Sequence, residues 1–202
     1  MFDFIAILVK GGPVMVPLLA CSIISLAVVI ERILFWRNVR FRGPVEELLQ
    51  LVERHEFAKA IELGRNVDLP AARVLTAGLA HRNPSLSKAL EVAAQAEVPI
   101  LKKRLTILDT IITLAPLLGL LGTITGMISS FGIMSETGLG QPHAVTGGVA
   151  EALIATAAGL LIAILTLIPY NYFTNRAERE LEEIEYYGSR LELILAEEEG
   201  KG

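Results

Sequence analysis

The sequence has few charged residues, few aromatic residues and a single cysteine. Of its 202 residues, 20% are charged and 6% are aromatic, and the mean hydropathy is +0.54. A soluble domain usually carries about 25% charged residues, so the composition favours a membrane protein. Cys21 alone cannot form a disulfide framework or a zinc site, and three scattered histidines do not supply a metal cluster. The net charge of −4 and the lack of a basic tail argue against nucleic acid as a partner.

Three long runs of the sequence carry no charged residue. A helix needs about 20 apolar residues to cross a hydrocarbon core about 30 Å thick, and each run is that long. We therefore predict an all-α membrane protein with three transmembrane helices. The runs contain 20, 26 and 24 residues and lie between Lys10 and Glu31, between Asp109 and Glu136, and between Glu151 and Arg176.

Basic residues predict the orientation of these helices. Thirteen of the 18 lysines and arginines lie between Arg32 and Arg104, four follow the third run, and residues 135–143 contain none. Cytoplasmic flanks of membrane helices carry an excess of lysine and arginine. We therefore expect the region between the first two helices and the C-terminus to be cytoplasmic, with the N-terminus and the short loop on the outer side.

The region between the first two runs predicts small cytoplasmic helices. Residues 43–109 contain apolar residues at helical spacing and no alternating strand pattern. The helical pattern from about Ser85 continues through Pro99 into the second run, and the third run continues to Glu199, so two transmembrane helices should extend into the cytoplasm. The predicted divisions are an interfacial helix (1–10), a first span (11–36), a cytoplasmic helical segment (37–104), a second span (105–135), a short outer loop (136–144), a third span (145–173) and a C-terminal helix with an acidic tail (174–202).

Small and hydroxyl residues of the second span share one helix face. Gly119, Thr123, Gly126 and Ser130 fall at positions i, i+4, i+7 and i+11, and Gly122 begins a second series at four-residue steps. Small residues let membrane helices pack closely, so one interpretation is a packing stripe. The other interpretation is that the Thr123 hydroxyl lines a narrow polar passage.

The third span has the same character. Gly159 belongs to a ladder of small residues at four-residue steps, which favours close helix packing. Thr156 is the only residue with a hydroxyl group between Glu151 and Thr166. At about 1.5 Å per residue, Thr123 and Thr156 should both lie within about one turn of the bilayer midplane.

Glu151 is an acidic residue followed by a long apolar run. A carboxylate in a membrane is costly and by default marks a functional site. It lies close to the predicted outer loop, so two interpretations stay open: a group at a pore mouth that faces a partner, or an interfacial residue that binds a neighbouring subunit. Neither threonine can titrate. If the protein conducts ions, a second chain should supply a carboxylate near the midplane.

Other functional classes share some of these features. A passive ion channel or a structural membrane scaffold would also have helix faces of small residues, and would need no partner. An enzyme is the weakest hypothesis, because the sequence contains no grouping of nucleophile, base or metal ligands.

Several motifs together resemble the MotA/TolQ/ExbB proton channel family, most closely its ExbB/TolQ branch. The resemblance covers nearly the whole chain. One departure is Pro169, since the family often has proline directly after the alanine–isoleucine pair that stands here at positions 163 and 164. The motifs are Glu31-Arg32 at the end of the first span, Ala115 to Thr123 with Gly126-Met127 in the second, and Ala150 to Leu153, Ala155 to Ala157 and Gly159-Leu160 in the third.

The resemblance implies a pentamer around a pore that holds the membrane helices of a dimeric, single-span partner of the ExbD/TolR type. The partner would bring the membrane aspartate that carries the proton, and a TonB- or TolA-like protein is a further expected partner. By motif, Thr123 and Thr156 correspond to the family's pore threonines and Glu151 to its third-span glutamate. The chain would then serve a bacterial inner-membrane motor that converts proton motive force into work at the cell envelope, without cofactor or metal.

Overall fold

The computed structural model describes residues 10–39, 43–83, 85–137 and 142–199. Within these ranges the regular structure is helical and includes no strand, so the prediction of an all-α protein is confirmed. The helices are α1 (Met15–Asn38), α2 (Gly43–Glu53), α3 (Phe57–Arg65), α4 (Pro70–Ala80), α5 (Leu86–Leu101), α6 (Leu105–Thr137) and α7 (Pro142–Glu199).

Three of these helices, α1, α6 and α7, are long and apolar enough to cross a membrane, as the uncharged runs predict. A span needs about 20 residues, and α7 has 58, so this helix continues beyond the apolar run. The predicted interfacial helix falls mainly on residues 1–9, which lie outside the described residues. Residues 138–141 of the predicted outer loop and residues 200–202 of the acidic tail also lie outside them.

The expectation of one helix from about Ser85 into the second span is wrong. Helix α5 ends at Leu101 and α6 begins at Leu105. Between them Arg104 has a φ of 62°, a left-handed conformation that cannot continue an α-helix. Lys102 donates its backbone N–H to the Val98 carbonyl oxygen at 3.0 Å and so closes the last turn of α5. The exposed positions of residues 102–104 allow this charged turn to remain in contact with solvent.

The chain divides into two compact units. The first, called here the membrane unit, contains residues 1–31 and 104–172; the second, called the short-helix unit, contains residues 32–103 and 173–202. In the membrane unit, apolar residues at the start of α1 pack with the first half of α6, and partly buried residues of α6 and α7 cover this cluster. The cluster consists of Val14, Met15, Leu18, Cys21, Ile111 and Ala115, with Leu118, Ala158 and Ile162 packed against it.

A buried hydrogen bond also joins α1 to α7 within the membrane unit. The hydroxyl oxygens of Ser25 and Thr166 lie 2.8 Å apart. Because Thr166 donates its own proton to the Ile162 carbonyl oxygen at 2.8 Å, Ser25 is the donor to Thr166. Such hydrogen bonds between membrane helices contribute about 0.6 kcal/mol on average, so this bond adds specificity to a contact that packing already stabilises.

The short-helix unit is built from amphipathic helices. Helix α4 starts at Pro70, whose missing N–H costs nothing in a first turn. Helix α5 starts after Ser85, whose hydroxyl accepts a hydrogen bond from the Lys88 N–H at 3.4 Å. Arg190 of α7 donates to both carboxylate oxygens of Glu46 of α2 at 2.9 Å. The buried face of α2 consists of Val45, Leu48, Leu49 and Val52.

A bidentate ion pair joins α4 to α5. Arg73 donates from Nε and Nη2 to the two carboxylate oxygens of Glu97, at 2.8 and 2.6 Å, and the Glu97 side chain is 7% exposed. The hydrogen bond to Glu97 is the main reason that the pKa of Arg73 is raised above its usual value. A raised pKa means that the arginine contributes this stability fully at neutral pH and loses it only in strong alkali.

Removing the negative charge of Glu97 is expected to destabilise the packing of α4 against α5 in the short-helix unit. Glu97→Gln keeps the shape of the side chain but weakens the bond to Arg73, and we expect a loss of about 2 kcal/mol. Hydrogen exchange of the α4 and α5 amides in the full-length protein measures the loss. The control is Glu91→Gln, which breaks the exposed pair with Lys88 and should change protection little. Equal protection in Glu97→Gln and the unmodified protein would contradict this expectation.

Candidate functional site in the membrane unit

Helices α6 and α7 approach each other closely enough for backbone atoms to touch. A Cβ atom on Gly119 would lie 3.0 Å from the Cα of Thr156 and 3.1 Å from the carbonyl oxygen of Ala155. A Cβ on Gly126 would lie 2.9 Å from the carbonyl oxygen of Gly148. Real Cβ atoms rarely come so close to backbone, so a side chain at either position would require the two backbones to move apart. Glycine at such contacts is how membrane helices bring their backbones together.

Gly122 and Gly159 belong to the same contact between α6 and α7. A Cβ on Gly122 would lie 2.5 Å from the Cβ of Ala155. A Cβ on Gly159 would overlap the carbonyl oxygen of Ala115 and lie 3.2 Å from the Cα of Gly119. Ser130 is buried and donates its hydroxyl to the Gly126 carbonyl oxygen at 3.0 Å. The structure therefore places all five of the predicted packing residues at the contact between α6 and α7.

Thr156 connects the two helices by a hydrogen bond. Its hydroxyl donates to the carbonyl oxygen of Gly119 at 2.9 Å, across the contact between α6 and α7. The side chain is partly buried within the chain. While the hydroxyl donates its proton to the Gly119 carbonyl oxygen, the lone pairs of the Thr156 oxygen can still accept a further hydrogen bond. Sequence spacing identified the hydroxyl but could not identify its acceptor.

Thr123 lies one turn further along α6 than Gly119. Its hydroxyl donates to the carbonyl oxygen of Leu120 in its own helix, at 2.6 Å. Both threonines are described residues, and no hydrogen bond joins their hydroxyls. The two hydroxyls are therefore separate polar groups, and each holds its proton on a carbonyl oxygen and can accept a hydrogen bond from a third group.

The Glu151 side chain lies against the start of α1. A Cβ on Gly12 would overlap one carboxylate oxygen of Glu151 and lie 2.7 Å from its carboxyl carbon. The glutamate is partly buried and belongs to a different face of α7 from Thr156. Sequence analysis missed this contact with Gly12, although the consecutive glycines at positions 11 and 12 were a visible signal of an unusual turn.

Comparison with known proteins gives consistent matches. Residues 66–186 match the MotA/TolQ/ExbB proton channel family. The chain is 40% identical to the biopolymer transport protein ExbB-like 3 of Synechocystis over 91% of each chain. It is 35% identical to ExbB-like 1 of the same organism, over 93% of this chain and 77% of the relative. It is also 34% identical to the Tol-Pal system protein TolQ of Pseudomonas aeruginosa, over 54% of this chain and 48% of the relative.

Proposed function

Since this multi-pass membrane protein belongs to the MotA/TolQ/ExbB proton channel family, on its ExbB/TolQ side, we propose that it is the ring-forming subunit of an ion-driven motor. Five copies surround a pore, and the pore holds the membrane helices of a dimeric, single-span partner of the ExbD/TolR type. The complex lies in a bacterial inner membrane, with the N-terminus on the outer side and the C-terminus in the cytoplasm. It couples proton flow to mechanical work at the cell envelope.

The observation that carries this proposal is the hydroxyl of Thr156 at the glycine contact. Residues 110–135 and 152–175 contain no charged side chain, so Asp109 and Glu151 leave the central parts of these two spans without a carboxylate. A proton path through such a span needs a group that binds and releases charge. We therefore assign the titrating carboxylate to the partner and its solvation to Thr123 and Thr156.

The two threonines can serve both charge states of that carboxylate. When the partner's carboxyl is neutral, the Thr156 oxygen accepts its proton in a hydrogen bond and still donates to Gly119. When the carboxyl is ionised, rotation of the hydroxyl redirects the proton of Thr156 from the Gly119 carbonyl oxygen to the carboxylate. Thr123 performs the same exchange with the Leu120 carbonyl oxygen. Each exchange lowers the cost of a charge inside the membrane without adding a fixed charge to the ring.

Proton flux into vesicles separates this function from its alternatives. The complex, purified with its single-span partner, should carry protons down an imposed gradient, and the ring purified from cells that lack the partner should not. Equal flux through the ring alone would show a passive channel. No flux in either preparation would show a scaffold, and both results would overturn the proposal.

Glu151 gives a second prediction for the same assay. We propose that its carboxylate lies at the pore mouth, where a ring of acidic side chains concentrates cations. Glu151→Gln should lower proton flux severalfold while the complex still assembles. The control is Asp109→Asn, which removes an exposed carboxylate near the start of α6 and should leave flux unchanged. Unchanged flux and assembly in Glu151→Gln would remove Glu151 from the pathway.

A further inference from the structure

The turn that precedes α1 has an unusual backbone. Gly12 has a φ of +73°, in the left-handed region that residues with a side chain rarely adopt. Its carbonyl oxygen accepts the N–H of Met15 at 3.1 Å and so begins the first turn of the helix. Gly11 is buried beside it. The chain thus enters α1 through two consecutive glycines, of which at least the second needs to be glycine for conformational reasons.

This turn is seated on one face of α7. A Cβ on Gly12 would overlap a carboxylate oxygen of Glu151 and lie 3.1 Å from its Cγ. A Cβ on Gly11 would lie 3.1 Å from Ile154, three residues further along the same helix. Residues three apart are neighbours on a helix surface, so the two contacts form one continuous patch. The carboxylate occupies the space that a side chain at position 12 would fill.

We propose that Gly12 is a positioning residue for Glu151, an inference that rests on the function proposed above. The missing side chain leaves room for the carboxylate beside the first turn of α1. The amino end of a helix carries a partial positive charge, and that charge favours a carboxylate in this place. Gly12 therefore keeps the Glu151 carboxylate beside the start of α1. In this way it determines the position of that charge at the outer end of the proposed proton pathway.

A side chain at position 12 should strain the left-handed turn and displace the Glu151 carboxylate, while α1 and α7 stay in place. The atoms that obstruct the new Cβ belong to the far end of a flexible glutamate, which can change rotamer, and not to the backbone. Gly12→Ala is therefore expected to release Glu151 from the turn towards solvent. Gly147→Ala is the matched control, since a Cβ there would meet nothing within 4 Å and the residue lies one turn before Glu151 on α7.

Carbodiimide labelling of the carboxyl group measures this displacement without any assay of activity. Full-length protein in native membranes is treated with a water-soluble carbodiimide and an amine, and the label on Glu151 is read by peptide mass spectrometry. We expect the labelling rate to rise severalfold in Gly12→Ala and to stay at the level of the unmodified protein in Gly147→Ala. An unchanged rate in Gly12→Ala would overturn the inference.

A rescue experiment separates the displaced carboxylate from simple backbone strain. Glu151→Asp draws the carboxylate back towards α7 by one methylene and so relieves the closest overlap of the new Cβ, which is with the terminal carboxylate oxygen. The double variant Gly12→Ala/Glu151→Asp should therefore label at the rate of Glu151→Asp alone. Where Gly12→Ala fails to accumulate, the double variant should restore accumulation. If the effects of the two substitutions on the labelling rate add, the positioning role is contradicted. The same holds if the double variant accumulates as poorly as Gly12→Ala, because the defect then lies in the left-handed backbone.

The labelling and flux experiments can refute the two proposals separately. A Glu151→Gln variant with full proton flux would refute the proposed role of Glu151 in the pathway, yet the labelling result would still locate its carboxylate beside Gly12. An unchanged labelling rate in Gly12→Ala would refute the positioning role even in a complex that conducts protons through the proposed pathway.

Discussion

Thr156→Val is expected to abolish proton-driven work while the ring and its partner stay together. Valine keeps the shape of threonine and removes the hydroxyl that we assign to the partner's carboxylate. A hydrogen bond to a charged group is worth about 2 kcal/mol, which corresponds to a loss of flux of roughly 30-fold. Proton flux into vesicles that contain equal amounts of assembled complex measures the effect.

Two further variants show which property of Thr156 matters. Thr156→Ser retains a hydroxyl that can donate to the Gly119 carbonyl oxygen, so it should retain flux. Thr166→Val also removes a buried hydroxyl from α7, but one that accepts from Ser25 and not from the proposed pathway. It should lower the thermal stability of the complex slightly and leave flux unchanged. Normal flux through Thr156→Val would remove this residue from the mechanism.

Gly159→Ala is expected to have the largest effect on the membrane unit itself. The added methyl group would overlap the carbonyl oxygen of Ala115 and lie 3.2 Å from the backbone nitrogen of Gly119. Both neighbours are backbone atoms, which cannot move aside by changing rotamer, so α6 and α7 must separate. Overpacking of this kind costs about 2 kcal/mol, and the separation would also lengthen the nearby bond from Thr156.

The thermal stability of the purified complex and its proton flux should both fall in Gly159→Ala. Gly132→Ala is the matched control on α6, because a Cβ at that position has nothing within 4 Å and alanine favours helix. If both glycine variants retain the stability of the unmodified protein, the backbone contact between α6 and α7 does not hold the unit together.

The sequence was sufficient to predict the three spans and the face on which the small residues lie. Charged residues are excluded from the membrane core, so uncharged runs mark the spans directly. A helix has a fixed period, so the spacing of Gly119, Gly126 and Ser130 along the chain is enough to identify a shared face. What that face contacts was left open by the spacing, since a packing stripe and a polar passage need the same period.

The features that sequence analysis missed depend on backbone conformation or on distant parts of the chain. The break between α5 and α6 depends on a left-handed Arg104, and arginine carries no local signal for that conformation. The contact between Gly12 and Glu151 joins residues far apart in sequence, as does the bond from Ser25 to Thr166. Helical periodicity describes which residues share a face and contains no information about the partner that the face meets.

Native mass spectrometry of the complex, after gentle detergent extraction from its own membrane, tests the central claim most directly. Every chain in the particle is identified from its mass and its peptides. We predict five copies of this chain together with two copies of a single-span protein that carries an acidic residue within its membrane helix. A ring without such a partner would lack the titrating carboxylate and would contradict the motor.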